Sequence, residues 1–278
     1  MRLSIYTFVK DGLYYDFHVA AMLKHHLPLA DEIIVNEGYS TDGTYEAIKD
    51  LDPKIKVHRF EWDRSDPLHW HQKFKNQARK LCSGDWCILL DCDEFIPEWE
   101  FARLRDFLTK TDKVIIPVRF IHFYGNYRVF IGRPGKITPT LGMRIHRNLE
   151  TIEVWGDGAN VRLGRKFDPP TPADESFECH HFGCVRKPSR LRQKWRTQAK
   201  QHNEKNPKWD WMPSFLFDLF PYSWEDQDSL DSLAIYDGPH IQAVRDNPDE
   251  FVRDRFKLVD IIARRPDAAL SQESTTPS

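Results

Sequence analysis

No stretch of this 278-residue chain approaches the roughly 18 consecutive apolar residues of a membrane span. The Leu3–Val9 run is too short for a secretory leader, and it passes into Lys10-Asp11 without a small-residue cleavage site, so the expected compartment is the cytoplasm. Cysteine is scarce and odd in number, five in all, which suits reduced thiols rather than a disulfide framework. The set Cys179-His180-His181 with Cys184 lacks the paired C-x-x-C spacing of a structural zinc site. Charge of one sign is also missing. Forty Lys and Arg against 42 Asp and Glu leave a formal net charge of -2, so no global field draws nucleic acid. There are no internal repeats.

What remains is an ordinary globule, 40% hydrophobic and 29% charged, long enough for one large domain or two small ones. Aromatic residues are plentiful at 13%, whether as core or as sugar and base platforms. In chain order, the pattern predicts a strand at Arg2–Val9, a helix at Tyr15–His26, and a strand at Glu32–Asn36. A helix at Thr44–Leu51, a strand at Lys56–Phe60 and a helix at Gln72–Leu81 follow, and then a strand from Trp86. Strand alternating with helix is the signature of a mostly parallel sheet with helices on its faces. A helix at Glu98–Leu108 and a strand at Val114–Phe120 come next. Ile121–Pro139 reads as an excursion, Met143–His146 and Thr151–Trp155 as a strand pair, and Glu178–Val185 as the segment carrying two histidines. Arg190–Asn203 reads as a basic helix, Lys208–Trp224 as a Trp-rich segment broken by prolines, Pro248–Arg264 as a last helix, and residues 266–278 as a flexible tail.

One stretch organises the rest. Trp86-Cys87-Ile88-Leu89-Leu90 is a buried apolar run that stops in Asp91-Cys92-Asp93-Glu94. A buried strand would deliver these carboxylates to the carboxyl edge of the sheet, where open α/β sheets bind ligands. If strand geometry persists, Asp91 and Asp93 project to one face. Two oxygen donors there suit a hard cation, Mg²⁺ or Mn²⁺, completed by substrate phosphates. The plain alternative is an acidic turn after a core strand.

Asp31-Glu-Ile-Ile-Val-Asn-Glu-Gly-Tyr-Ser-Thr-Asp-Gly-Thr44 resembles the second-strand loop of family 2 glycosyltransferases. Gly84-Asp-Trp-Cys-Ile-Leu-Leu-Asp-Cys-Asp-Glu94 resembles their Asp-x-Asp strand, and Lys75-Asn-Gln-Ala-Arg79 stands where that family carries a basic helix. Met143-Arg-Ile-His-Arg147, Trp155-Gly-Asp-Gly158 and His181-Phe-Gly183 are similar to a bacterial branch that elongates lipopolysaccharide core and other surface glycans. That branch usually has Val-His-Glu in the middle motif, where this chain has Trp-Gly-Asp-Gly. This chain also begins Tyr-Thr-Phe-Val-Lys-Asp, where the family more often has Pro-x-Tyr-Asn.

The resemblance implies a GT-A fold, with a nucleotide-sugar-binding α/β half at 1–120 and an acceptor-binding, catalytic half at 121–265. It implies a nucleotide-diphosphate sugar donor contacted by Thr7, Val9, Glu37, Asp42, Lys75, Arg79 and Asp91. Metal would be held by Asp91, Asp93 and His181, and a glycan or glycolipid hydroxyl would be the acceptor. Inverting transfer needs a carboxylate base on the far side of the sugar. Asp157 is first by motif position and Glu153 second. Each assignment has a plainer alternative: Asp42 as a helix cap, Arg79 as a solvated residue, His181 as a core histidine. The basic run 186–200 is a solvated helix or a contact for phosphate or anionic lipid at a membrane surface, and the Trp-rich segment is packing or an acceptor platform. Rival functions are a sugar-nucleotide nucleotidyltransferase and a non-catalytic carbohydrate-binding protein. The first usually carries a Gly-rich basic loop after strand one, and only Lys10-Asp11-Gly12 stands there.

Overall fold

The computed structural model describes residues 1–63, 70–133, 139–156, 158–164, 175–201, 232–253 and 258–264. The chain divides into two compact units, with the boundary falling inside two of its strands. The first unit comprises Met1–Phe120, Thr140–His180 and Ile241–Ala243.

In the first unit, β1 (Leu3–Val9), β2 (Glu32–Glu37), β3 (Ile55–Arg59) and β4 (Trp86–Leu89) are parallel, in the order β4-β1-β2-β3. β1, β2 and β4 are buried almost end to end, as strands covered on both faces must be. The helices α1 (Val19–His26), α2 (Thr44–Ile48), α3 (Trp70–Arg79) and α4 (Glu98–Lys110) fall among them, with the short β5 (Glu94–Phe95) before α4. The sheet then turns antiparallel. β8 (Thr140–Arg147) pairs β4, and the first part of β6 (Ile115–Tyr124) pairs β8. The expected mixed α/β architecture with a mostly parallel sheet is present. Because β2 and β4 lie on opposite sides of β1, the strand order reverses there. The crevice at the carboxyl ends of β1 and β4 is thus a switch point of the kind that binds ligands.

Five expectations are corrected, the last two in the second unit. Tyr15–His26 is not one helix: residues 12–16 form a turn, with Asp16 left-handed at φ 54°, and α1 starts only at Val19. Met143–His146 and Thr151–Trp155 are both strands but not partners. β9 (Ile152–Trp155) instead forms a two-stranded ribbon with β10 (Asn160–Leu163). Strand geometry does not persist through the acids, for β4 ends at Leu89 and residues 92–93 form a turn closed by Glu94 N–H donating to the Asp91 carbonyl at 3.0 Å. Asp91 and Asp93 are therefore not placed by strand alternation.

The fourth correction lies in the second unit, which comprises 121–139, 181–240 and 244–278. The stretch expected as an excursion continues β6 to Tyr124, reverses at Gly125 (φ 69°) and returns as β7 (Asn126–Ile131). Its Phe, Tyr and Val residues favour strand, and glycine permits the tight reversal. After β11 (Phe177–Cys184), β12 (Leu233–Ile235) pairs β7. Tyr124, Val129, Leu191, Leu233, Leu258 and Ile262 form this unit's core, with Leu191 from α5 (Pro188–Gln201). The expected last helix is broken. A 3-10 turn at Pro248–Phe251 is followed by extended Val252, which bridges to Asn126, and α7 (Leu258–Ala263) comes later, after α6 (Gln242–Asp246). The Trp-rich segment at 208–224, Asp157 and the tail from 266 lie outside the described residues.

Candidate active site

The acid turn after β4 is built from five charged side chains of the first unit. Glu94 closes it. Its Oε2 accepts the Asp91 N–H at 2.8 Å and its Oε1 accepts Arg144 Nη2 at 2.6 Å. Arg144, from β8, also places Nη2 3.6 Å from Asp91 Oδ2. On the other side of Asp91, Lys75 Nζ lies 2.5 Å from Oδ1. Asp93 is 2% exposed, so the acid expected at the sheet rim is inside it.

The charge balance explains the ionisation. Burial would raise the Asp91 carboxyl, but Lys75 and Arg144 outweigh burial and hold it below its ordinary value. Burial wins at Glu94, whose carboxyl is pushed up to about 7 despite Arg144. Three acids facing two cations leave the turn with one negative charge when all are ionised.

Lys75 reaches the turn because α3 presents an inward stripe of Trp70, Phe74, Lys75, Ala78 and Arg79, the i, i+4, i+5 spacing of one helical face. The same helix fixes the segment that follows β8. Asn76 donates from Nδ2 to the Val154 carbonyl and accepts the Val154 N–H, both at 2.9 Å. Lys75 donates to the Gly158 carbonyl at 2.9 Å, and Arg79 donates to the Leu149 carbonyl at 3.3 Å. Arg79 is 6% exposed and is not the solvated residue of its plainer reading. The α3 cation at the acid turn is Lys75.

On the exit side, two histidines at the end of α1 grip the Ile96 peptide. Ile96 N–H donates to His26 Nε2 at 3.0 Å, and His25 Nε2 lies 2.8 Å from the Ile96 carbonyl. His26 Nδ1 in turn donates to the Met22 carbonyl at 2.8 Å, which makes its ring a neutral donor–acceptor. Burial, with His25 alongside, holds it well below the ordinary imidazole range. Nothing in the bare pattern of α1 announced this grip.

The remaining expected donor-site residues are committed to internal contacts. Thr7 is buried, with Oγ1 3.5 Å from Cys92 Sγ, and Val9 is buried at the end of β1. Glu37 is fully buried and accepts Tyr39 N–H at 3.1 Å, Ser40 N–H at 2.5 Å and Arg59 Nε at 2.7 Å. Asp42 accepts Tyr14 N–H at 2.7 Å, Thr44 N–H at 3.0 Å and the Thr44 hydroxyl at 2.6 Å, so it does fasten the start of α2. Burial opposes its charge, but those donors prevail and lower its carboxyl. Together these contacts stitch the loops after β1 and β2 to each other.

Of the candidate bases, Glu153 is half-exposed on β9 and accepts both Arg162 Nε at 2.8 Å and Nη2 at 2.6 Å on one oxygen. Asp157 is outside the described residues, but its neighbours are inside them. Gly156 and Gly158 are both left-handed, at φ 69° and 86°. In the second unit, His181 Nδ1 lies 2.6 Å from His122 Nδ1. The basic helix α5 is not wholly a solvated face: Arg192 is buried, as is Arg186 just before it, and Lys194 donates to the Gly183 carbonyl at 3.1 Å.

The residues of the acid turn fit a divalent cation. Asp91 Oδ1 is buried against the Lys75 ammonium at 2.5 Å and Oδ2 lies 3.6 Å from Arg144 Nη2, so each oxygen of this hard carboxylate keeps a lone pair beyond its ion pair. Among the described residues no three His, Cys, Asp or Glu groups converge as a ready-made cage. That donor set matches Mg²⁺ or Mn²⁺ bound through one or two carboxylates and completed by phosphate oxygens.

With this geometry in place, the family model described as glycosyl transferase family 2 matches residues 19–166, just over half the chain. The chain belongs to that family. The matched stretch takes in the acid turn, α3 and the ribbon β9–β10. No curated protein sequence matches it. Among solved structures it is similar to S. aureus TarS 1-349 in complex with UDP-GlcNAc, at 16% identity and a TM-score of 0.42, over 72% of this chain and 66% of that one. It is also similar to glucosyl-3-phosphoglycerate synthase from Mycobacterium tuberculosis, in complex with Mn²⁺, UDP and glucosyl-3-phosphoglycerate. There the identity is 17% and the TM-score 0.33, over 45% of each chain. The chain thus spans slightly less than two thirds of the length of the TarS fragment. No helix among the described residues is long and apolar enough to cross a membrane.

Proposed function

We propose that this family member is a metal-dependent, inverting glycosyltransferase that moves a sugar from a nucleotide-diphosphate donor to a hydroxyl of a glycan or glycolipid, in surface-polysaccharide biosynthesis. The observation that carries the reading is the acid turn at the carboxyl end of β4, beside the switch point at β1, with Lys75 and Arg144 fixing its carboxylates. Asp93 and Asp91 would hold the cation. When bound, the cation supplies Lewis-acid neutralisation of the departing diphosphate.

The chain's own residues have separable roles. Glu94 and Arg144 hold the turn closed, and Lys75 and Arg144 keep Asp91 ionised at neutral pH. Thr7, Val9, Glu37, Asp42 and Arg79 shape the donor side chiefly through the loops they fasten. In the transfer, the acceptor oxygen bonds to the anomeric carbon, the bond from that carbon to the diphosphate oxygen breaks, and its electron pair leaves with the phosphate. The acceptor proton passes to a carboxylate, Asp157 first. Its support is that Lys75 joins the turn flanking Asp157 to the acid turn, whereas Glu153 already accepts two bonds from Arg162. The basic 186–200 segment offers a peripheral contact to an anionic membrane face. The nucleotidyltransferase reading is weaker, since Lys10 is spent on the Gly38 carbonyl at 2.6 Å.

The test is donor hydrolysis and transfer across a panel of UDP-, GDP- and TDP-sugars with Mn²⁺. Turnover of at least one donor, lost in EDTA, supports the reading; no turnover with any donor and no nucleotide binding overturns it.

A further inference from the structure

Lys75 is 3% exposed and makes two polar contacts that belong to different parts of the chain. Its ammonium lies 2.5 Å from Asp91 Oδ1 in the acid turn and donates to the Gly158 carbonyl at 2.9 Å in the turn after β9. Its stem is boxed in, with the ammonium 4.9 Å from the centre of the Phe8 ring. Gly158 has little freedom to follow any other partner. It sits at φ 86°, its N–H donates to the Trp155 carbonyl at 3.2 Å, and a Cβ there would fall 2.9 Å from His71 Cβ, one helical turn before Lys75. Gly158 is therefore held on α3 by Lys75, and Val154, at the end of β9, by Asn76.

A lysine shared in this way is a mechanical link. A cation drawn to the acid turn competes with the ammonium for Asp91, and a phosphate competes with Asp91 and the Gly158 carbonyl for the ammonium. Any shift of the ammonium away from Asp91 is felt by a backbone carbonyl about 3 Å away, in a segment otherwise remote in sequence. We propose that Lys75 is a positioning residue that couples the charge carried at Asp91 to the seating of Gly158 against α3. The inference rests on the proposed function only in assigning a purpose, since the second turn flanks the carboxylate read as the proton acceptor. The coupling itself requires no donor and no metal.

The experiment is amide hydrogen exchange of the peptide covering residues 152–163 in the full chain, without metal, for four proteins: wild type, Asp91→Asn, Lys75→Met and the double variant. Asp91→Asn removes the carboxylate charge while touching nothing in 152–163. It should change exchange in that peptide several-fold in the wild-type background and leave it unchanged in the Lys75→Met background, the pattern of a coupled pair. Lys75→Arg should restore part of the effect, because a guanidinium can span both acceptors. An Asp91→Asn effect of equal size with and without Lys75, or no effect at all, overturns the coupling. Should Lys75→Met fail to fold, Lys75→Gln with Asp91→Asn runs the same cycle without the cation, and an unattenuated effect there contradicts the proposal. Failure of the transferase reading would appear separately, as absence of donor turnover by a wild type that still shows the exchange coupling.

Discussion

Lowering the pH from 7.5 to 5 should destabilise this protein through one residue in particular, His146. It is wholly buried. Its Nδ1 donates to the Arg147 carbonyl at 2.8 Å, leaving Nε2 to accept the Tyr6 hydroxyl at 3.0 Å, so the folded ring is neutral. Burial first, and then the nearby Arg79 charge, lower its pKa to about 4. In the unfolded chain the imidazole takes up its proton near 6.5. Between those values the unfolded state binds more protons, so stability is intact above about 6.5 and falls as pH drops toward about 4. At about 1.4 kcal/mol per pH unit, the loss is about 2 kcal/mol by pH 5, a large share of the ~5–15 kcal/mol that holds a domain together.

Two other groups titrate in the same range. His26, lowered by burial, acts in the same direction, whereas Glu94, raised to about 7, acts in the opposite one. Glu32, held at about 2 by its Lys56, Ser83 and Ser4 bonds despite the opposing effect of burial, loses its contribution only below about 4.5. The measurement is therefore a difference. Urea unfolding of wild type and His146→Gln at several pH values should show their stability gap shrinking by about 2 kcal/mol between pH 7.5 and 5. A gap independent of pH would refute the assignment of a neutral buried ring.

Other expectations come from the same geometry. Gly158→Ala forces a left-handed alanine against His71 and should destabilise by more than about 1 kcal/mol, while Gly156→Ala, at φ 69° with open space around it, should cost only about 1 kcal/mol; chemical denaturation of both distinguishes them. Asp42→Ala removes two accepted bonds at the start of α2 and one from Tyr14 N–H, and should lower stability by about 1 kcal/mol in the same assay. Asp157→Asn should reduce kcat by about 100-fold or more with donor KM nearly unchanged; full activity would move the base to Glu153.

The parallel half of the fold was legible because β1, β2 and β4 are continuous apolar runs separated by helical periods, and such runs have few other solutions. The acid stretch was legible for the same reason, since an apolar strand that stops in three acids marks a sheet edge. The geometry of the acids was not. Asp91 and Asp93 were referred to a strand that ends at Leu89, and their disposition depends on Glu94 bending back to the Asp91 N–H. Arg144 was quoted within Met143-Arg-Ile-His-Arg147 without a role, because its role comes from β8 lying beside β4, a long-range pairing that no local pattern encodes. Lys75 and Arg79 shared one inward face by i, i+4 spacing, yet only the segment packed against that face decides which of them meets a carboxylate. The hairpin at β6–β7 was not legible because its stretch mixes Gly and Arg with Tyr and Phe, which obscures strand alternation, and its pairing with β12 is long-range.

The most direct test of the central claim is calorimetric titration of wild type and Asp93→Asn with UDP, GDP and TDP in the presence of Mn²⁺. The account predicts that wild type binds at least one of them, that EDTA abolishes that binding, and that Asp93→Asn, which stays folded by circular dichroism, weakens it by about tenfold or more. Equal affinity in wild type and variant, or binding indifferent to EDTA, would contradict a metal–diphosphate site at the acid turn.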